Sequence, residues 1–172
     1  HLDIYGTAEE MESAFIQYTK NIKIGGTLLV KHGLHRASDL RGPMTITYSL
    51  QNDAADVYGA NIVQRDGGYV FDVIGEDWKL ENVHLNIGGM HNVENAIAAI
   101  AVTELLGIDG EAVKKALAQF KGIGRRFEYV LKTEKVVYID DYAHHPAELA
   151  ALIRSAKHLF PSRRCVVCFQ PH

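Results

Sequence analysis

Apolar side chains between residues 8 and about 24 fall at Met11, Ala14, Phe15, Tyr18 and Ile22, a spacing that lays one stripe along a helix. "GGTLLVKHG" follows, with glycines on either side of a short apolar run, and predicts a helix stop and then a buried strand. From Thr45 to Ile87 the period shortens to alternation in "TITYSL", "DVYGANIVQR", "GYVFDVIG" and "KLENVHLNI". That pattern predicts a small antiparallel meander, with "DGG" at 66–68 supplying the positive φ angles of a tight hairpin. Helical spacing returns at Val93, Ala96, Ile97, Ile100, Ala101 and Leu105, and Gly107 stops it. A second helix over about 110–119 presents Val113 and Leu117. "RFEYVL" and "KVVYID" then predict two strands joined near Lys132–Glu134. Pro146 opens a helix to about Leu159, since a first turn does not need its N–H, and "CVVCF" reads as a last, buried strand.

This order predicts an α/β chain in two parts. The composition shift at "KGIGRRF" and the strand–helix–strand pattern beginning at Val136 place a boundary near 125–135, drawn here after Arg126. Residues 1–126 read as the later part of an α/β domain with an antiparallel meander, and 127–172 as the first βαβ unit of another. With 172 residues and 47% hydrophobic content, the chain can fill one core or two partial ones. A net charge of −3 weighs against nucleic acid, whose phosphates need a positive footprint, but leaves room for a single nucleotide. No apolar run approaches the ~20 residues that span a bilayer, and the opening does not read as a signal peptide. Cys165 and Cys168 lie three apart on the expected strand and so face opposite ways; they read as core cysteines of a reducing, cytoplasmic protein. The chain begins on "HLDIYGT" and stops on "CFQPH", which reads as a piece of a longer protein.

Three stretches could carry chemistry. In "GGMHNVENA", the glycines allow a tight turn into a helix whose first turn carries Asn92 and Asn95 on one face. An amide offers both donor and acceptor, which complements an adenine edge, while the plainer reading makes Asn92 a helix cap and Asn95 surface. In "GRRF", Arg125 and Arg126 diverge on an extended segment, so one of them can fork onto a phosphate; the alternative is a solvated basic pair. "YIDDYAHHPAEL" sets Asp141, Tyr142, His144 and His145 at the carboxyl end of a strand, where open α/β sheets bind ligands. A zinc site, an acid–base histidine, a nucleotide-binding loop and a simple cap ahead of Pro146 all stay open there; adjacent histidines suit the zinc site least.

In order and spacing, "HLDIYG", "GGMHNVENAIAAIAV", "GIGRRFEYV", "DDYAHHPAE" and "FQPH" together resemble the Mur ligases, ATP-dependent amide-forming enzymes of peptidoglycan synthesis. The resemblance covers the chain from end to end and implies the latter part of the central ATP-binding domain, followed by the beginning of the Rossmann-like C-terminal ligase domain. It implies that His91, Asn92 and Asn95 hold adenine, that Arg126 reaches the nucleotide phosphates, and that Asp141 touches the nucleotide. Tyr142 and His144 would lie near the substrates, with Arg126 and His144 closest to the reaction; His172 would bind substrate and His1 would help bind magnesium. ATP and Mg2+ are the implied cofactors. "DDYAHHP" is similar to the alanine-adding branch, which implies UDP-N-acetylmuramate and L-alanine as substrates joined through an acyl phosphate. The rivals are the branch that recycles tripeptide and a non-catalytic adenine-nucleotide-binding module. Two departures stand out. No G-x-x-x-x-G-K-[ST] loop occurs, so the chain alone is expected to be inactive, and Ala147 stands where the family usually has Thr.

Overall fold

The computed structural model describes residues 2–170. A short helix α1 (Leu2–Tyr5) leads into α2 (Ala8–Thr19), whose first turn is capped by Thr7 Oγ1 accepting from the Glu10 N–H at 3.2 Å. The apolar stripe expected on α2 is only partly covered among the described residues: Met11, Ala14 and Ile22 are half-buried, whereas Phe15 is 60% and Tyr18 73% exposed. Periodicity identifies the apolar side of a helix and does not supply the surface that buries it.

Strands β1 (Thr27–Lys31), β2 (Met44–Ser49), β3 (Val57–Arg65), β4 (Gly68–Ile74) and β5 (Lys79–Leu85) form one five-stranded sheet in chain order. Only β3, β4 and β5 make the expected antiparallel meander; β2 pairs in parallel with both β1 and β3. Alternation in "TITYSL" reveals the two faces of a strand but not the direction of its neighbour. Asp56 closes the β2–β3 connection by accepting from the Thr47 N–H and hydroxyl, both at 2.7 Å. Two bulges, between Ala60 and Val63 and between Phe71 and Val73, bend the meander.

Helix α3 (Met90–Leu105) lays Val93, Ala96, Ile97 and Ile100 against Phe71, Val73, Val83 and Leu85 of the sheet, all nearly inaccessible to solvent. Helix α4 (Gly110–Gln119) follows, capped by Asp109 Oδ2, which accepts from the Ala112 N–H at 2.9 Å. Next come the antiparallel pair β6 (Glu128–Lys132) and β7 (Val137–Asp140), then α5 (Pro146–Leu159) with its proline in the first turn as expected. Phe127 and Leu159, 1% and 4% exposed, join the core of the first part. Tyr129 Oη donates to the Gly67 carbonyl at 2.7 Å, Gln64 Nε2 to the Leu159 carbonyl at 2.8 Å, and Lys132 Nζ to the Asp66 carbonyl. The β3–β4 hairpin thus receives the second part of the chain.

One expectation fails at residues 164–170. They form no strand, and Cys165 and Cys168 are exposed rather than core. A strand needs a hydrogen-bonded neighbour, and none of the described strands pairs with this segment. No helix among the described residues is long and apolar enough to cross a membrane.

Candidate functional site

The site is built where the loop before α3 meets the turn before β6. Gly88 has to be small: a Cβ there would stand 2.0 Å from Phe127 Cε1 and 2.8 Å from Leu159 Cδ1. Gly89 has φ +91°, which a side chain rarely adopts. Asn92 closes this turn twice, its N–H donating to the Gly89 carbonyl at 2.9 Å and its Nδ2 to the Gly88 carbonyl at 2.7 Å. It is half-buried, and Asn95, one turn on, is exposed. The His91 ring folds back over Gly89. Although the residue is exposed, desolvation of its ring is the main cause of a pKa below the usual histidine range; Asp141 works against that shift and Arg126 adds to it. His91 therefore senses both Arg126 and Asp141, from the turn and the loop that face it.

That turn is unusual in its backbone. Arg125 and Phe127 both adopt the left-handed region, at φ +59° and +51°, a conformation costing about 1–2 kcal/mol for each residue bearing a Cβ. Asp141 braces it: Oδ2 accepts from the Phe127 N–H at 2.7 Å and Oδ1 from the Ala143 N–H at 2.7 Å. The Arg125 guanidinium lies 4.8 Å from the centre of the Tyr142 ring, and its Nε is 3.8 Å from Asp140 Oδ2. The Arg126 side chain makes no hydrogen bond or ion pair with the described residues, and its backbone N–H donates to the Ile123 carbonyl at 3.1 Å. Adjacent in sequence, the two arginines are thus sorted into one that is tethered and one that is available.

The loop before α5 is held by Glu148, whose Oε2 accepts from the N–H groups of His144 at 3.1 Å and His145 at 3.2 Å. The His144 bond, then that of His145, brings the Glu148 pKa below the usual carboxylate range. His144 Nδ1 lies 2.9 Å from the Tyr142 carbonyl and 3.7 Å from Glu148 Oε2. The His144 ring meets the Tyr142 ring edge-on, with centroids 5.3 Å apart, and lies tilted against the His145 ring at 4.6 Å.

A groove of about 270 Å³ runs between α3 and α5, lined by Met90, His91, Ala151, Arg154, Ser155 and His158. Of the expected site residues only His91 lines it. A larger cleft of about 810 Å³, bounded by Phe120, Lys121, Phe127 and Glu128, lies beside the same turn. The structure brings His91, Arg126 and Asp141 within electrostatic reach and ties Asp141 and Tyr142 to the arginine turn. Neither the groove nor the larger cleft is lined by Asn92 or Asn95. His1 and His172 lie outside the described residues. Sequence reading passed over Glu128, Arg154 and His158; the four-residue step from Arg154 to His158 on α5 was the available signal for the last two.

Residues 1–103 match the Mur ligase middle domain, and residues 125–172 match the glutamate ligase domain of the Mur ligases. The chain belongs to the Mur ligase family. Along its whole length it is 44% identical to the UDP-N-acetylmuramate–L-alanine ligase of Parabacteroides distasonis and 43% identical to that of Porphyromonas gingivalis. It spans 37% and 38% of those two proteins, little more than a third of each. The crystal structure of the UDP-N-acetylmuramate–alanine ligase of Thermotoga maritima superimposes with a TM-score of 0.81 at 30% identity, covering all of this chain and 39% of that one. The folylpolyglutamate synthetase of Lactobacillus casei shares the fold, with a TM-score of 0.74 at 16% identity, over 91% of this chain and 41% of that one.

As a Mur ligase chain, it can be tested for the groups the family uses. Of the groups an adenine nucleotide needs, Asn92 and Asn95 carry amides, that of Asn92 already donating to the Gly88 carbonyl, and the Arg126 side chain is unengaged among the described residues. The described residues do not make a magnesium site. No three His, Cys, Asp or Glu side chains gather among them, and Asp141 already accepts two backbone N–H groups.

Proposed function

We propose that the chain is part of an ATP-dependent ligase that joins L-alanine to the lactoyl carboxylate of UDP-N-acetylmuramate, a cytoplasmic step in making peptidoglycan precursors. The observation that carries this reading is end-to-end similarity, at 44% and 43% identity, to two ligases named for that reaction. The division into a central and a C-terminal domain is drawn after Arg126. ATP, when bound, would supply the phosphoryl group to the carboxylate with ADP leaving, and the amine of L-alanine would then displace phosphate to form the amide.

The chain's own residues bind and position. Asn92 and Asn95 offer amide donors and acceptors to the base, with the His91 ring beside them. Arg126 offsets the charge of the phosphates as two anions approach each other. Asp141 still has lone pairs for a ribose hydroxyl, since a carboxylate offers about four acceptor positions and two are in use. Tyr142 and His144 lie near the substrates in this reading, with His144 among the residues closest to the reaction. His1 serves magnesium and His172 the substrate.

The test is phosphate release by the full-length enzyme, dependent on ATP, UDP-N-acetylmuramate and L-alanine. Arg126→Ala should lower kcat/KM by roughly 100- to 1,000-fold, the usual effect of losing one donor to transition-state charge. Asn92→Ala and Asn95→Ala should mainly raise KM for ATP, and the 172-residue chain alone should show no turnover. Activity with tripeptide in place of L-alanine would transfer the assignment to the recycling branch, and no activity with either acceptor would leave a binding module.

A further inference from the structure

Arg126 sits between two left-handed residues, and each of these has its backbone N–H held by a carboxylate. Arg125 N donates to Glu128 Oε2 at 2.8 Å, and Phe127 N to Asp141 Oδ2 at 2.7 Å. Between them Arg126 N donates to the Ile123 carbonyl at 3.1 Å, and Tyr142 N donates to the Arg125 carbonyl at 2.8 Å. Every backbone donor of residues 125–127 is therefore engaged, while the Arg126 side chain has no partner among the described residues. Non-glycine residues stay in the left-handed region only where their surroundings over-determine them. Here the determinants are two carboxylates from different elements, Glu128 at the start of β6 and Asp141 just beyond β7.

We propose that Glu128 is a positioning residue for the ligase reaction: by holding the Arg125 N–H, it fixes the turn that presents Arg126, rather than Arg125, to the nucleotide phosphates. The inference rests on the reading of Arg126 as the phosphate-binding cation. Without the Glu128 acceptor, Arg125 loses the bond on its N–H and keeps the Tyr142 N–H on its carbonyl and its side-chain contacts, so its φ can return to ordinary negative values. That is a rotation of roughly 120° at the residue preceding Arg126, enough to redirect the guanidinium. Asp141 holds the far side of the turn and the Tyr142 N–H holds the Arg125 carbonyl, and neither fixes rotation about the Arg125 N–Cα bond. The sequence hid the role: Glu128 reads as an ordinary alternating strand residue.

The experiment compares Glu128→Ala, Glu128→Gln, Arg126→Ala and the double variant Glu128→Ala/Arg126→Ala in the full-length enzyme, with melting temperature followed alongside kinetics. Glu128→Ala should lower kcat/KM for ATP by about tenfold or more with a melting temperature near wild type. Glu128→Gln keeps an acceptor oxygen and should recover most of that loss. The double variant should be no worse than Arg126→Ala, because a positioning residue has nothing left to position. If Arg126→Ala is impaired and Glu128→Ala is not, the Glu128 inference falls and the arginine's role stands. Additive losses in the double variant, or a loss in Glu128→Ala that only tracks lowered stability, also overturn it. If Arg126→Ala behaves as wild type, the phosphate reading fails and takes this inference with it.

Discussion

Asp72 lies where the two bulges of the meander meet. Its Oδ2 accepts from Asn61 Nδ2 at 2.7 Å and its Oδ1 from the Asn82 N–H at 2.9 Å, and Lys79 Nζ is 3.7 Å away. Asn61 and Asn82 both adopt positive φ, so the one carboxylate fixes two irregular residues on neighbouring strands. Burial pushes the Asp72 pKa up, but the Asn61 amide, the Asn82 N–H and Lys79 outweigh it and leave the carboxyl below its usual range. A carboxylate with a depressed native pKa stabilises the fold above its unfolded pKa, and that contribution is lost as pH falls through the native value. Asp72→Ala should therefore cost roughly 1–3 kcal/mol near pH 7, and the gap from wild type should narrow toward pH 3, as read by urea denaturation. A gap independent of pH would refute the account. None of this was legible in the sequence, because Asn61, Asp72 and Asn82 meet only through sheet register. The arginine pair was half legible: divergence of adjacent side chains was foreseeable, but only the Tyr142 ring and Asp140 show which arginine is tethered.

Helices were the elements best read in advance. Gly107 ends α3 one residue after its cap, Asp109 and Gly110 open α4, and Pro146 starts α5, because caps and breakers act locally. Strand pairing was read less well: β2 alternates like its neighbours yet runs parallel to both. The segment 164–170 shows the same limit more sharply. Its β-branched, apolar composition favours a strand, but Val166 is 69% and Phe169 49% exposed where no neighbour pairs with them. Both thiols of the 172-residue chain should accordingly react with a disulfide reagent in native buffer, two per chain. Reaction only after addition of urea would mean that the segment is packed in a sheet.

At the scale of the molecule, the two parts are joined through Gly88, Phe127 and Leu159, with the α3 loop on one side and α5 on the other. Gly88→Ala would push a methyl group into the Phe127 ring, an overpacking that typically costs about 1–3 kcal/mol. Hydrogen exchange should then quicken in α5 while the α3 interior stays protected; unchanged exchange in α5 would show that the joint tolerates the methyl. Which stretches form helices, which side of each is apolar, and which residue types could meet a nucleotide were set by the sequence alone. Those properties depend on side chains a few positions apart along one backbone. The bracing of Arg126 by Glu128 and Asp141, the parallel course of β2 and the exposure of the cysteines were decided only by the tertiary structure. Each of them depends on which distant segment supplies a hydrogen-bonding partner or a covering surface, and local spacing carries no record of that choice.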